Sequence, residues 1–265
     1  MKKAVYILSG LAVVLAFGFI PAQNSSAAPT NPKGELKGVV HVYYPMPGYD
    51  FAKPDNPGNH GGNGGNRGGG GKPVAQCTVT TNDQVTDWGA TGWRMPSSGL
   101  TYYVDESSMP KGMNPTDFEA AFARSTNTWH QAYSAITWRF GGNTNAKQAK
   151  LDGINTIAFG AAKGAIAVTT TWYYTGTGEI AESDMILASN LAWSITQPGT
   201  DCGGQAGTYD VQNITTHELG HQVGLEDLYS TADKDLTMYG YGMTTELKKD
   251  SLGAGDFAGA QVVAP

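Results

Sequence analysis

An α+β domain is predicted by three features of the sequence. A β-type run is followed by an amphipathic helix, several further β-type runs come next, and a second helix near the C-terminal end carries His217 and His221. Each element rests on residue spacing. Leu100-Thr101-Tyr102-Tyr103-Val104 reads as a first strand. Asn114 is a good N-cap, Pro115 suits the first helical position and Asp117 the first turn. Phe118, Ala121, Phe122, Ser125, Trp129 and Ala132 then recur at helical spacing, so this helix packs one stripe on a sheet and leaves His130 at the surface. Strands are expected over Ile136–Phe140, Ile154–Phe159 and Ala165–Tyr174, and after the turn Thr175–Gly178 over Glu179–Ala188, with Ile180, Met185 and Leu187 inward. Asp210 is the expected N-cap of the second helix, whose apolar contacts come from Ile214, Leu219 and Val223.

The chemistry concentrates in that second helix, which reads His217-Glu218-Leu219-Gly220-His221-Gln222-Val223-Gly224-Leu225-Glu226-Asp227. Histidines four apart project from one helical face, so both imidazoles can reach one metal ion, with Glu218 beside the first as a general base for water. Gly224 allows the helix to end sharply and the chain to swing back. Of the five histidines, His41 and His60 lie in the N-terminal segment and His130 on the first helix, and none of these is expected to be a ligand. The third ligand is therefore sought among carboxylates. Asp227 leads, Glu226 is the runner-up, and Glu246 would suit an arrangement that draws a glutamate from a later helix. Three protein ligands and an open position make a catalytic rather than a structural zinc site.

Residues 1–27 read as a signal peptide: Lys2 and Lys3 precede an apolar run from Ala4 to Ile20, and Ser25-Ser26-Ala27-Ala28 supplies small residues for cleavage after Ala27. The alternative is an uncleaved membrane anchor; otherwise no stable span is expected, and the chain should be secreted. Residues 28–76 read as a Gly/Asn/Pro-rich tail or pro-segment, in which Val39–Tyr44 is a short strand or a pro-segment remnant. The glycine run 61–71 cannot offset its chain entropy by burial. Residues 77–265 form the expected folded domain. In an exported chain Cys77 and Cys202 suggest a disulfide; the other reading makes Cys77 a thiolate capping the zinc. A net charge of −6 with no Lys/Arg-rich face argues against nucleic acid as a partner.

His217–Asp227 resembles the extended zinc motif of the metzincin peptidases, with aspartate in place of the usual third histidine as in the snapalysin-like members. Asp235-Leu236-Thr237-Met238-Tyr239-Gly240 is similar to the methionine turn of the matrixin branch, with Met243 as the fallback. Trp93 with Leu100–Tyr103, Asp152–Phe159, Thr177–Leu187 and Leu252–Val263 resemble further matrixin elements. The resemblance implies a twisted, mostly parallel sheet of roughly five strands with an antiparallel edge strand, packed by two long helices and a short C-terminal helix. It also implies a monomeric zinc endopeptidase. One catalytic Zn2+ would be held by His217, His221 and Asp227, with Glu218 as general base, acting on protein or peptide substrates. The histidine cluster for a second, structural zinc and the cysteine-switch segment of the matrixins are both missing. Ca2+ at Asp152 or Asp184 is left open and not assigned, because single acidic loop residues are usually solvated. The substrate is expected to lie extended along Ala167–Tyr173, pairing through its main chain. An aspartate ligand makes a zinc-held water less acidic than three histidines would, so activity is expected at neutral to mildly alkaline pH. The competing class is a secreted zinc-binding or adhesion module without catalysis.

Overall fold

The structure is a computed structural model and describes residues 32–47, 85–197 and 204–265. The signal-peptide segment, His60, the glycine run and both cysteines lie outside the described residues. Among the described residues no helix is long and apolar enough to cross a membrane.

The architecture is mixed α/β, a mostly parallel seven-stranded sheet with three helices. Strand β1 spans Leu36–Pro45, β2 Leu100–Val104, β3 Trp138–Asn143, β4 Asn155–Gly160, β5 Ala167–Tyr174 and β6 Ile180–Ala188. The two-residue strands β7 (Trp193–Ser194) and β8 (Tyr209–Asp210) form a small parallel pair, and β9 is Tyr241–Gly242. Helix α1 runs Pro115–Ala132, α2 Val211–Val223 and α3 Ala254–Val263. The order in the sheet is β3-β2-β4-β6-β5-β1-β9. Strands β3, β2, β4 and β6 pair in parallel, β5 runs antiparallel to β6, β1 antiparallel to β5, and β9 parallel to β1.

Local chemistry sets the helices. The Asn114 side chain accepts from Thr116 N–H at 2.8 Å and Pro115 opens α1, whose buried residues are the whole expected stripe from Phe118 to Ala132. Each large apolar side chain so buried contributes about 1.5–3 kcal/mol. His130 is exposed, as its place off the stripe requires. Asp210 caps α2 by accepting from Asn213 N–H at 3.0 Å. Helix α2 is buried on nearly all sides, with Ile214, Leu219 and Val223 at 0% exposure, because it lies between α1 and the sheet. Trp129 fixes the two helices together by donating its indole N–H to the Thr216 carbonyl at 2.7 Å.

Three expectations need correction. First, the sheet has seven strands, and β5 is not an edge, because β1 pairs with it from Leu36↔Tyr174 to Tyr43↔Ala167. Second, His41 is not solvated: it is 7% exposed, since β1 alternates and Val39, His41 and Tyr43 face inward. Third, Asp184 is not a solvated loop residue. It is buried in β6 and accepts from the backbone N–H groups of Thr156 at 2.7 Å and Lys150 at 2.8 Å, which ties β4 to β6. Burial lifts its carboxyl to about 7 against the pull of those hydrogen bonds.

Candidate metal centre

Helix α2 carries His217 and His221 on the face turned toward β1 and β5. Both are fully buried. Gly224 ends the helix at φ +118°, where a side chain would be strained and its Cβ would meet the Trp93 carbonyl oxygen at 2.5 Å. The Gly220 carbonyl accepts from both Gly224 and Leu225 N–H, closing the helix and returning the chain so that Asp227 comes under the histidines. His217 Nε2 lies 3.2 Å and His221 Nε2 3.7 Å from Asp227 Oδ1. One ligand atom from each of the three residues falls within 4.8 Å of the others.

The second ring nitrogens fix the tautomers. His217 Nδ1–H donates to the Thr237 carbonyl at 2.7 Å and His221 Nδ1–H to the Leu225 carbonyl at 2.8 Å. Each Nε2 is thereby left with a lone pair directed into the site. Among the described residues, neither Nε2 atom nor Asp227 Oδ1 has a hydrogen-bond partner, and all three are buried. Such groups are costly unless something satisfies them, and a cation bound by two imidazoles and a carboxylate would satisfy all three. The buried His217-His221-Asp227 group can hold a metal ion.

Electrostatics favour the ligating forms. Burial lowers both imidazole pKa values, His221 well below its usual range, so both rings are neutral at neutral pH. Burial alone would raise Asp227, and what holds its carboxyl down is positive charge at His221 and His217; with both rings neutral, a dication at the ligands would supply that charge. Asp227 Oδ2 accepts from the Tyr229 hydroxyl at 3.2 Å, which orients the carboxylate.

Glu218 is fully buried beside the ligands. Its Oε2 accepts from Thr169 Oγ1–H at 2.5 Å, while Oε1 has no partner among the described residues. Burial pushes its carboxyl up to about 8; the Thr169 hydroxyl opposes this, Asp227 adds to it and Lys249 draws it down. A dication at the ligands would draw it down further. The other two carboxylates considered as third ligand are engaged elsewhere. Glu226 Oε2 meets His41 Nε2 at 2.9 Å, and Glu246 accepts from Met243 N–H at 3.2 Å and lies 3.1 Å from Lys248 Nζ.

Met238 is buried under α2 at 1% exposure. Its turn is held by Asp256, whose buried carboxylate accepts from Thr237 N–H at 2.8 Å, Met238 N–H at 3.1 Å and Gly253 N–H at 2.8 Å. Since the Thr237 carbonyl orients His217, α3 braces the metal site through this turn. Gly220 lets Met238 come close: a Cβ there would lie 2.1 Å from the Met238 sulfur and 2.9 Å from the Trp129 ring. Gly220→Ala is therefore expected to cost about 1–3 kcal/mol of stability, seen as a lower urea midpoint with an unchanged m-value.

Sequence reasoning did not find four residues around the site. Thr169 holds Glu218. The His41 ring stacks on His221 with centroids 4.0 Å apart, and the Tyr43 ring on His217 at 3.9 Å. Lys249, at 0% exposure, donates from Nζ to Tyr43 Oη at 2.6 Å, to the Tyr241 carbonyl at 3.2 Å and to the Tyr239 carbonyl. The β-type run Val39–Tyr44 and the inward alternation of its odd-numbered residues were the only signals available for two of them. No protein-family model matches the chain, and no curated protein matches it.

Proposed function

We propose that this protein is a secreted zinc-dependent endopeptidase of metzincin type, with one zinc held by His217, His221 and Asp227. The observation that carries the reading is the convergence of two neutral imidazole nitrogens and a carboxylate oxygen, all buried and unpartnered, beside an unpartnered Glu218 oxygen. Two imidazoles and one carboxylate leave a position open on a tetrahedral ion, which suits catalysis. When bound, zinc supplies a Lewis acid that makes a water nucleophilic near neutral pH and polarises a carbonyl. Glu218, anchored through Oε2 by Thr169, takes the water's proton at Oε1 and delivers it to the amide nitrogen as the C–N bond breaks. With β1 displaced, the exposed main chain of β5 would orient an extended peptide by main-chain hydrogen bonds. Asp227, oriented by Tyr229, completes the ligand set.

The test is cleavage of an unfolded protein by full-length chains that carry Tyr43→Ala, to loosen the strand over the site, with and without Glu218→Gln. Zinc content is measured on both. Cleavage by the first and none by the second, at equal zinc, is the expected result. Equal zinc with cleavage by neither would favour a binding module.

A further inference from the structure

On the peptidase reading just given, the β5 edge is where a substrate would lie, yet β1 of the same chain lies there. It runs antiparallel to β5 over eight residue pairs and parallel to β9 at Tyr44↔Tyr241 and Pro45↔Gly242, so it is clamped on both sides. Tyr43 and His41 then place their rings flat on the two candidate ligand imidazoles. Each has a polar anchor beyond the site: Tyr43 Oη meets Lys249 Nζ at 2.6 Å, and His41 Nε2 meets Glu226 at 2.9 Å. The Tyr43 carbonyl accepts from Ile166 N–H at 2.7 Å, and Met46 N–H donates to the Gly242 carbonyl at 3.0 Å, so main-chain pairing continues past the rings. The Tyr43 socket is shaped for that side chain. A Cβ on Gly242 would lie 2.6 Å from the Tyr43 hydroxyl, and this hydroxyl accepts from the fully buried Lys249 ammonium.

We propose that Leu36–Pro45 is an internal pseudosubstrate that occupies the peptide cleft in place of substrate, locked by Tyr43 on Lys249, so that the full-length chain is latent. A sheet edge pairs one strand at a time, and β1 takes the main-chain positions along β5 that a second strand would need. The strand is joined to the rest of the domain by residues 46–84. Tethering of this kind gives a local concentration on the order of millimolar, against which a micromolar substrate competes poorly. Activation then requires that the strand be cut away or pulled out.

The test uses full-length chains and two readouts. The first is cleavage of an unfolded protein at micromolar concentration by the parent, Tyr43→Phe and Tyr43→Ala chains. The second is binding of a fluorescent peptide of sequence Leu36–Pro45, measured in the Glu218→Gln background so that the peptide survives. Tyr43→Ala is expected to raise cleavage at least about tenfold, because a buried aromatic side chain is lost from the tethered strand, with Tyr43→Phe between it and the parent. Tyr43→Ala is expected to bind the peptide at concentrations where the parent does not. Measurable cleavage that is equal for parent and Tyr43→Ala, or equal peptide binding, overturns the proposal. If no chain cleaves but the variant alone binds the peptide, the pseudosubstrate stands and the peptidase reading falls.

Discussion

Glu218→Gln is expected to keep its zinc and lose turnover by about 10²–10⁴-fold, the range over which a positioned general base acts. Glutamine has the same shape, and its carbonyl oxygen can still accept from Thr169 Oγ1, so the side chain stays where the carboxylate was. What disappears is the ability to take a proton at the second, unpartnered atom. The variant isolates proton transfer from metal binding, since Glu218 is not among the three converging ligand atoms. The measurement is turnover in the Tyr43→Ala background, with zinc determined on the same samples. A loss below about tenfold would assign the base to another group.

Asp227→Ala is expected to abolish activity through the metal. His217 and His221 would keep their Nδ1 partners on the Thr237 and Leu225 carbonyls, so their rings stay oriented. Two neutral imidazoles without a carboxylate bind a dication far more weakly, and the loss should exceed the roughly 10–100-fold typical of removing an outer partner of a ligand. Fold stability should change little in the metal-free protein. Among the described residues the Asp227 side chain accepts one hydrogen bond, from the Tyr229 hydroxyl, and Tyr229 is 51% exposed and can turn to water. Zinc affinity by competition with a chromogenic chelator, set beside the thermal midpoint of the metal-free chains, separates the two effects. Unchanged affinity would remove Asp227 from the ligand set.

The parts of this molecule that could be read from sequence are those whose cause is local. Helix α1 declares itself by Asn114, Pro115 and a stripe at 3.6-residue spacing, and all six stripe residues are buried. The two histidines of α2 are four apart, and the return of the chain to Asp227 follows from one glycine. Strands β2, β4, β5 and β6 fall within a few residues of their expected places for the same reason, a β-type run bounded by turns. What could not be read is pairing across long sequence separations. Nothing in Val39–Tyr44 says that its partner is β5, more than a hundred residues away, and the glycine-rich stretch between them pointed to a tail. That misplacement made His41 look solvated. Lys249 was hidden by another rule, since lysines are almost never buried unless paired; its partners are Tyr43 and the carbonyls beside β9, a strand of two residues without any sequence signal.

The central claim, a zinc held by His217, His221 and Asp227, is tested most directly by metal analysis together with zinc X-ray absorption on the full-length protein. The account predicts one zinc per chain, with only nitrogen and oxygen neighbours at about 2.0–2.2 Å and an imidazole signature from two rings. A chain isolated without zinc would contradict it. So would a sulfur neighbour at about 2.3 Å, which would bring a cysteine into the site that these three residues are claimed to complete.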